Sequence, residues 1–249
     1  ASCWIDLGFV LLQASEILKL ALILYLATWL TSEKKIEFKK FLFIMAIAIG
    51  PVILQPDLGS AVLLSSTAMA IYFISGAPLW QFGSLIAMAV SAIVMLAISA
   101  PYRLARVKTF LNPDLDPQGA SYHVRQILIA IGTGGWFGVG LGKSRQKYAY
   151  LPEVTTDSIF AVIAEEIGFV GCTVLLVIFL LFIMEGIKIA RGSKDEFGQL
   201  LASGIIIALA VQMLVNLGAM VALLPLTGVP LPFVSYGGSS LIVSFTMVG

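Results

Sequence analysis

The chain has 249 residues, of which 59% are hydrophobic and only 12% charged, with a mean hydropathy of +1.00. A soluble domain carries about 45–50% apolar and about 25% charged residues, so a water-soluble core is excluded. The formal net charge of +1 gives no electrostatic reason to expect a nucleic-acid partner.

A helix needs about 20 mainly apolar residues to cross the hydrocarbon core of a bilayer. In chain order, seven segments are predicted as spans: 10–30, 41–54, 58–74, 79–100, 158–187, 198–224 and 235–249. The second is short enough for a half-span, and the last stops inside an apolar run, as expected of a piece of a longer protein. The fold class that follows is all-α, a polytopic transmembrane helix bundle. Residues 1–249 form a single integral membrane domain, cut at both ends, with a long extracytoplasmic loop between the fourth and fifth spans.

Orientation comes from the short basic loops. Lys34, Lys35, Lys39 and Lys40 cluster after the first span, and Lys188, Arg191 and Lys194 after the fifth. Both read as cytoplasmic, and the even number of spans between them makes the two assignments agree. Segment 101–157 then lies outside, as do Asp57, the loop 225–233 and the polar start of the first span with Glu16 and Lys19.

Charged groups at membrane depth cost about 2.5–3.5 kcal/mol on insertion scales, so each needs a reason. Glu16 and Lys19 are three apart and share a helical face, which allows either a neutralising ion pair or a lysine held for a pyrophosphate. Asp57 and Asp157 stand at span ends, where a cap and a functional acid are both open readings. Asp157, after Thr155 and Thr156, suits the N-cap of the fifth span, and a helix N-terminus keeps a carboxylate ionised. Glu165 and Glu166 fall about 12 Å deeper along the same helix at 1.5 Å per residue.

In the outer segment Arg125, Lys143, Arg145 and Lys147 accompany Trp136, Tyr148 and Tyr150, a composition suited to an anionic, phosphate-bearing ligand or to lipid headgroups. The glycine-rich run 132–142 lacks a P-loop ending and any preceding strand, and reads as a flexible re-entrant loop. His123 is the only histidine, so a histidine–cysteine metal site has no support. Cys172 reads as a small core residue, and Gln212 with Asn216, four apart, as helix–helix hydrogen bonds rather than ligands. These residues define an outward polar site of acids and bases without naming its substrate.

Residues 151–168, Leu-Pro-Glu-Val-Thr-Thr-Asp-Ser-Ile-Phe-Ala-Val-Ile-Ala-Glu-Glu-Ile-Gly, resemble the signature around an essential aspartate in the SEDS family of FtsW, RodA and SpoVE. Residues 228–240, Gly-Val-Pro-Leu-Pro-Phe-Val-Ser-Tyr-Gly-Gly-Ser-Ser, resemble that family's C-terminal signature. Gln55-Pro56-Asp57-Leu58-Gly59, Ser15-Glu16 with Lys19, and 122–126 with 130–132 follow in the same order and spacing. The resemblance covers the whole chain and implies the last seven of ten spans. It implies a peptidoglycan glycosyltransferase of the cytoplasmic membrane that polymerises lipid II, with Asp157 as the essential acid or general base. The expected substrate contacts are Glu16, Lys19, Asp57, Arg125, Lys143, Arg145, Lys147 and Ser235, the basic groups of segment 101–157 being assigned to the leaving diphosphate by elimination as those nearest Asp157 in sequence. The expected partners are lipid II, the undecaprenyl-diphosphate-linked glycan, membrane lipids and a class B penicillin-binding protein. No cofactor is identified, and a divalent cation is the alternative countercharge for the diphosphate. The rival readings are a lipid II flippase and a non-catalytic scaffold for division or elongation.

Overall fold

The computed structural model describes residues 4–6, 11–33, 37–55, 57–99, 110, 120–144 and 157–249. A short antiparallel hairpin, β1 (Trp4–Asp6) with β2 (Leu11–Gln13), pairs Trp4 with Gln13. Eight helices follow among the described residues: α1 (Ala14–Ser32), α2 (Phe38–Leu54), α3 (Leu58–Ile74), α4 (Leu79–Ser99), α5 (Ala120–Gly134), α6 (Ile159–Gly192), α7 (Glu196–Met220) and α8 (Gly238–Val248). The predicted span at 58–74 matches α3 to the residue. The first span begins four residues later than expected because 11–13 pair as a strand.

Two findings depart from the sequence reading. Part of the long segment expected outside is helix: in α5, Ile127, Ala130 and Gly134 are buried at i, i+3 and i+7, a one-sided pattern too short to register as a span. The fifth predicted span is also broken. Within α6, Gly168 takes φ 69° and ψ −169°, a conformation essentially restricted to glycine.

Among the described residues three helices are long and apolar enough to cross a membrane: α1, α6 and α7. On α6, Val174, Ile178 and Leu181 form an exposed apolar stripe with helical spacing. Such a stripe fits a hydrocarbon solvent and not water.

The chain divides into two compact units. The first comprises Ala1–Val90, Phe182–Gln212 and Gly237–Gly249, the second Ser91–Leu181 and Met213–Tyr236. In the first, α1 packs on α2, α3 and α8. Gly204 of α7 allows close approach there, since a Cβ at that position would stand 2.7 Å from both Ile23 and Ile71. Phe41 stacks on Tyr72 with ring centroids 4.1 Å apart, and the Tyr72 hydroxyl donates to Gln81 Oε1 at 2.7 Å. At the basic end, Lys40 pairs with Glu33 at 3.3 Å and Glu37 at 3.4 Å.

Candidate active site

In the first unit the start of α1 carries a buried charge pair. Lys19 is 1% exposed, and its Nζ lies 2.7 Å from Glu16 Oε2. The same ammonium donates to Gln212 Oε1 at 2.7 Å. A buried lysine without a countercharge is costly, and here a carboxylate and an amide oxygen supply two of its three acceptors. Gln212 therefore acts across helices, as its position in an apolar run suggested. Its role in holding Lys19 was not visible in the sequence.

Asp57 is the N-cap of α3: its Oδ1 accepts from Ser60 N at 3.0 Å. Ser60 Oγ in turn donates to Ser15 Oγ at 3.2 Å, beside Glu16 in the chain. Glu16, Lys19 and Asp57 thus belong to one polar end, linked through Ser15 and Ser60.

In the second unit, Asp157 lies in the turn that leads into α6. The first helical residue is Ile159, so Asp157 stands two residues before the helix, one further out than the predicted span start at 158 placed it. The turn is held by its neighbours. Asn216 Nδ2 donates to the Asp157 carbonyl at 3.0 Å and to the Val229 carbonyl at 2.8 Å. His123 Nε2 is 2.8 Å from Ser158 Oγ. The carboxylate rests on a glycine: a Cβ built on Gly228 would be 3.3 Å from Asp157 Oδ2. Any larger residue at 228 crowds the acid, and φ 72° there also favours glycine.

The loop 225–233 that forms this wall is closed by Ser235. Its hydroxyl accepts from Leu231 N at 2.7 Å while its own N–H donates to the Leu231 carbonyl at 3.0 Å. This double tie holds Phe233 at φ 64°, a strained value for a non-glycine residue. Ser235, expected as a substrate contact, has this structural task.

The glycine-rich run is not a free loop. Its first residues finish α5, and the next six lock into the break of α6. Val139 N donates to Glu165 O at 2.9 Å and Gly140 N to Glu166 O at 3.0 Å, capturing carbonyls that a continuous helix would use itself. In return Phe169 N donates to Gly135 O at 2.9 Å and Val170 N to Trp136 O at 3.1 Å. The backbones approach so closely that a Cβ on Gly134, Gly138 or Gly168 would lie within 2.3 Å of main-chain atoms. Beneath the plug, buried Glu165 accepts from Ser144 Oγ at 2.5 Å.

Arg125 is half-buried on α5, two residues beyond His123, and Lys143 is exposed after the plug. Arg145 and Lys147 lie outside the described residues. No group of three or more histidine, cysteine, aspartate or glutamate side chains could hold a metal among the described residues.

Fold and site together define a multi-pass helical membrane protein with a carboxylate in the turn that leads into a long apolar helix. The chain belongs to the FtsW/RodA/SpoVE family of cell cycle proteins, whose model matches residues 1–249. It is 42% identical to stage V sporulation protein E of Bacillus subtilis, over 99% of this chain and 69% of that protein. It is 44% identical to the probable peptidoglycan glycosyltransferase FtsW of Coxiella burnetii, over 99% of this chain and 68% of that one. Among solved structures, a chain of a peptidoglycan synthase complex that coordinates polymerization and crosslinking superposes with a TM-score of 0.78 at 30% identity, covering 98% of this chain and 70% of that one. RodA of Thermus thermophilus gives 0.69 at 29% identity, covering 100% and 67%.

Proposed function

We propose that this chain supplies the greater part of a peptidoglycan glycosyltransferase that polymerises lipid II at the outer face of the bacterial cytoplasmic membrane. The observation that carries the reading is Asp157: an acid at the entrance of a long membrane helix, with its main chain pinned and its carboxylate against a glycine. Relatives at 42–44% identity include proteins named as peptidoglycan glycosyltransferases.

In the reaction, a sugar hydroxyl of the acceptor attacks the anomeric carbon of the donor. The bond from that carbon to the lipid diphosphate breaks, and the hydroxyl proton passes to Asp157. A hydroxyl is a weak nucleophile at neutral pH, so a carboxylate within hydrogen-bond reach contributes typically 10²–10⁴-fold. Direct displacement by one nucleophile inverts the anomeric centre. The diphosphate that leaves needs positive charge. Arg125 and Lys143 are the described basic groups of the Asp157 unit, joined in sequence by Arg145 and Lys147, with a divalent cation as the alternative. Lys19 is the weaker candidate, because two of its donors already face Glu16 and Gln212.

The partner expected of such a polymerase is a class B penicillin-binding protein, which crosslinks the strands it makes. The solved neighbour from a polymerization and crosslinking complex supports that choice.

The test is polymerisation of purified lipid II by the full-length protein in detergent. Asp157→Asn is near-isosteric, so expression and membrane insertion should be normal while glycan product is lost. Wild-type polymerisation by that variant would overturn the base assignment. Lipid II transport by the wild type with no polymerase activity would favour a flippase.

A further inference from the structure

One side chain reaches the backbone of the acid at position 157 from another helix. Asn216 of α7 is 1% exposed, so it cannot touch substrate without rearrangement. Both hydrogens of its amide are engaged, one on the Asp157 carbonyl at 3.0 Å and one on the Val229 carbonyl at 2.8 Å. Val229 follows Gly228, the residue against which the Asp157 carboxylate rests. A single amide therefore ties the turn that carries the acid to the wall beside it.

The other end of that amide has no such match. Asn216 Oδ1 is buried with no hydrogen-bond partner among the described residues. Helix–helix glue is expected to satisfy both ends of an amide, because a buried orphan oxygen is unfavourable. An apolar residue of similar shape avoids that penalty. The side chain is thus poorly chosen for stability and well chosen for its two donors. The neighbouring residue is held as well, since His123 Nε2 meets Ser158 Oγ at 2.8 Å.

We propose that Asn216 is the positioning residue of Asp157. Its amide sets the spacing between the acid's main chain and the 225–233 loop, and so the direction in which the carboxylate meets the acceptor hydroxyl. The inference rests on the reading of Asp157 as the base. Misplacing a reacting group by about 1 Å lowers turnover by roughly 10²-fold. A residue shielded from substrate leaves substrate affinity alone, so the loss belongs in kcat and not in KM.

The experiment compares full-length wild type, Asp157→Asn, Asn216→Ala and Asn216→Gln, each purified in detergent and assayed with lipid II. Thermal unfolding is measured in parallel. Asn216→Ala is expected to stay folded, lose roughly 10- to 100-fold in kcat and keep its KM within about twofold. Asn216→Gln retains the amide on a longer stem and should recover part of the turnover that alanine loses. A packing role predicts the reverse order, since the longer side chain overfills the site. Wild-type kcat in Asn216→Ala, a rise in KM with kcat unchanged, or glutamine performing no better than alanine overturns the proposal. So does failure of both Asn216 variants to fold, which would make the residue architectural. Full activity in Asp157→Asn overturns the base reading and this inference together. An inactive Asp157→Asn beside fully active Asn216 variants overturns the inference alone.

Discussion

Lys19 and Asp157 are both polar groups of a membrane protein, yet they are held in opposite ways. Around Lys19, side chain answers side chain: Glu16 Oε2 and Gln212 Oε1 each lie 2.7 Å from the ammonium. Around Asp157 and the α6 break, the main chain does the work. Asn216 binds two carbonyls, and Val139, Gly140, Phe169 and Val170 exchange backbone hydrogen bonds with 135–136 and 165–166. A network of side chains can be redesigned by replacing its members together. A network of backbones in close approach cannot, because any residue with a Cβ introduces an atom where there is no room.

The largest effect should therefore come from Gly168→Ala. The added carbon would stand 2.3 Å from Gly138 N, in a conformation that already excludes L-residues. Expected is loss of the folded, monodisperse protein, read by size-exclusion of a fluorescent fusion. Gly138→Ala should do the same, its carbon 2.2 Å from Glu166 O. Gly132→Ala is the control, with nothing within 4 Å, and should keep the fold. A well-folded Gly168→Ala would show that the plug is dispensable and erase the contrast.

Next comes the charge pair. Lys19→Met leaves Glu16 buried and uncompensated, a loss of about 3–5 kcal/mol. Replacing both, with Glu16→Gln and Lys19→Met, should recover most of it, so the double change costs less than the sum of its parts. Thermal unfolding in detergent across the four proteins measures this coupling. Strict additivity would mean that the two charges do not depend on each other. A smaller effect, about 1–3 kcal/mol, is expected for Ser144→Ala, which removes the hydroxyl donor to buried Glu165.

The same contrast explains what could be read in advance. The Glu16–Lys19 pair was legible because i,i+3 spacing on a helix places two side chains together whatever surrounds them. The α3 boundaries were legible because Asp57 at an apolar boundary is a recognisable cap. Asn216 was read as glue between helices, and its attachment to Asp157, 59 residues away, leaves no local mark. The break in α6 was invisible for a related reason. Gly168 lies inside an apolar stretch, and its partners are glycines some thirty residues earlier, whose need for close approach exists only once the two segments meet. His123, dismissed for want of a second metal ligand, has a structural use that no spacing announces.

The smallest predicted effect sharpens the comparison most, because at Asp57 a side chain serves a backbone. Its Oδ1 accepts from Ser60 N at 3.0 Å and caps α3. If capping is its whole task, Asp57→Asn should change stability by only a few tenths of a kcal/mol, since asparagine caps about as well as aspartate. Asp57→Ala should lower it by about 1 kcal/mol, because the Ser60 N–H then loses its acceptor. Activity separates capping from a role in substrate binding. A cap predicts that polymerisation follows stability, so Asp57→Asn retains full turnover and Asp57→Ala retains it below its unfolding temperature. A substrate contact needs the negative charge or its acceptor geometry, so Asp57→Asn would lose turnover or lipid II affinity while remaining as stable as the wild type. The link from Ser60 Oγ to Ser15 Oγ places this cap one residue from the Glu16–Lys19 pair. A functional loss in Asp57→Asn would therefore extend the polar end of α1 into the substrate site. Full activity would leave Asp57 as the support that positions the start of α3 beside it.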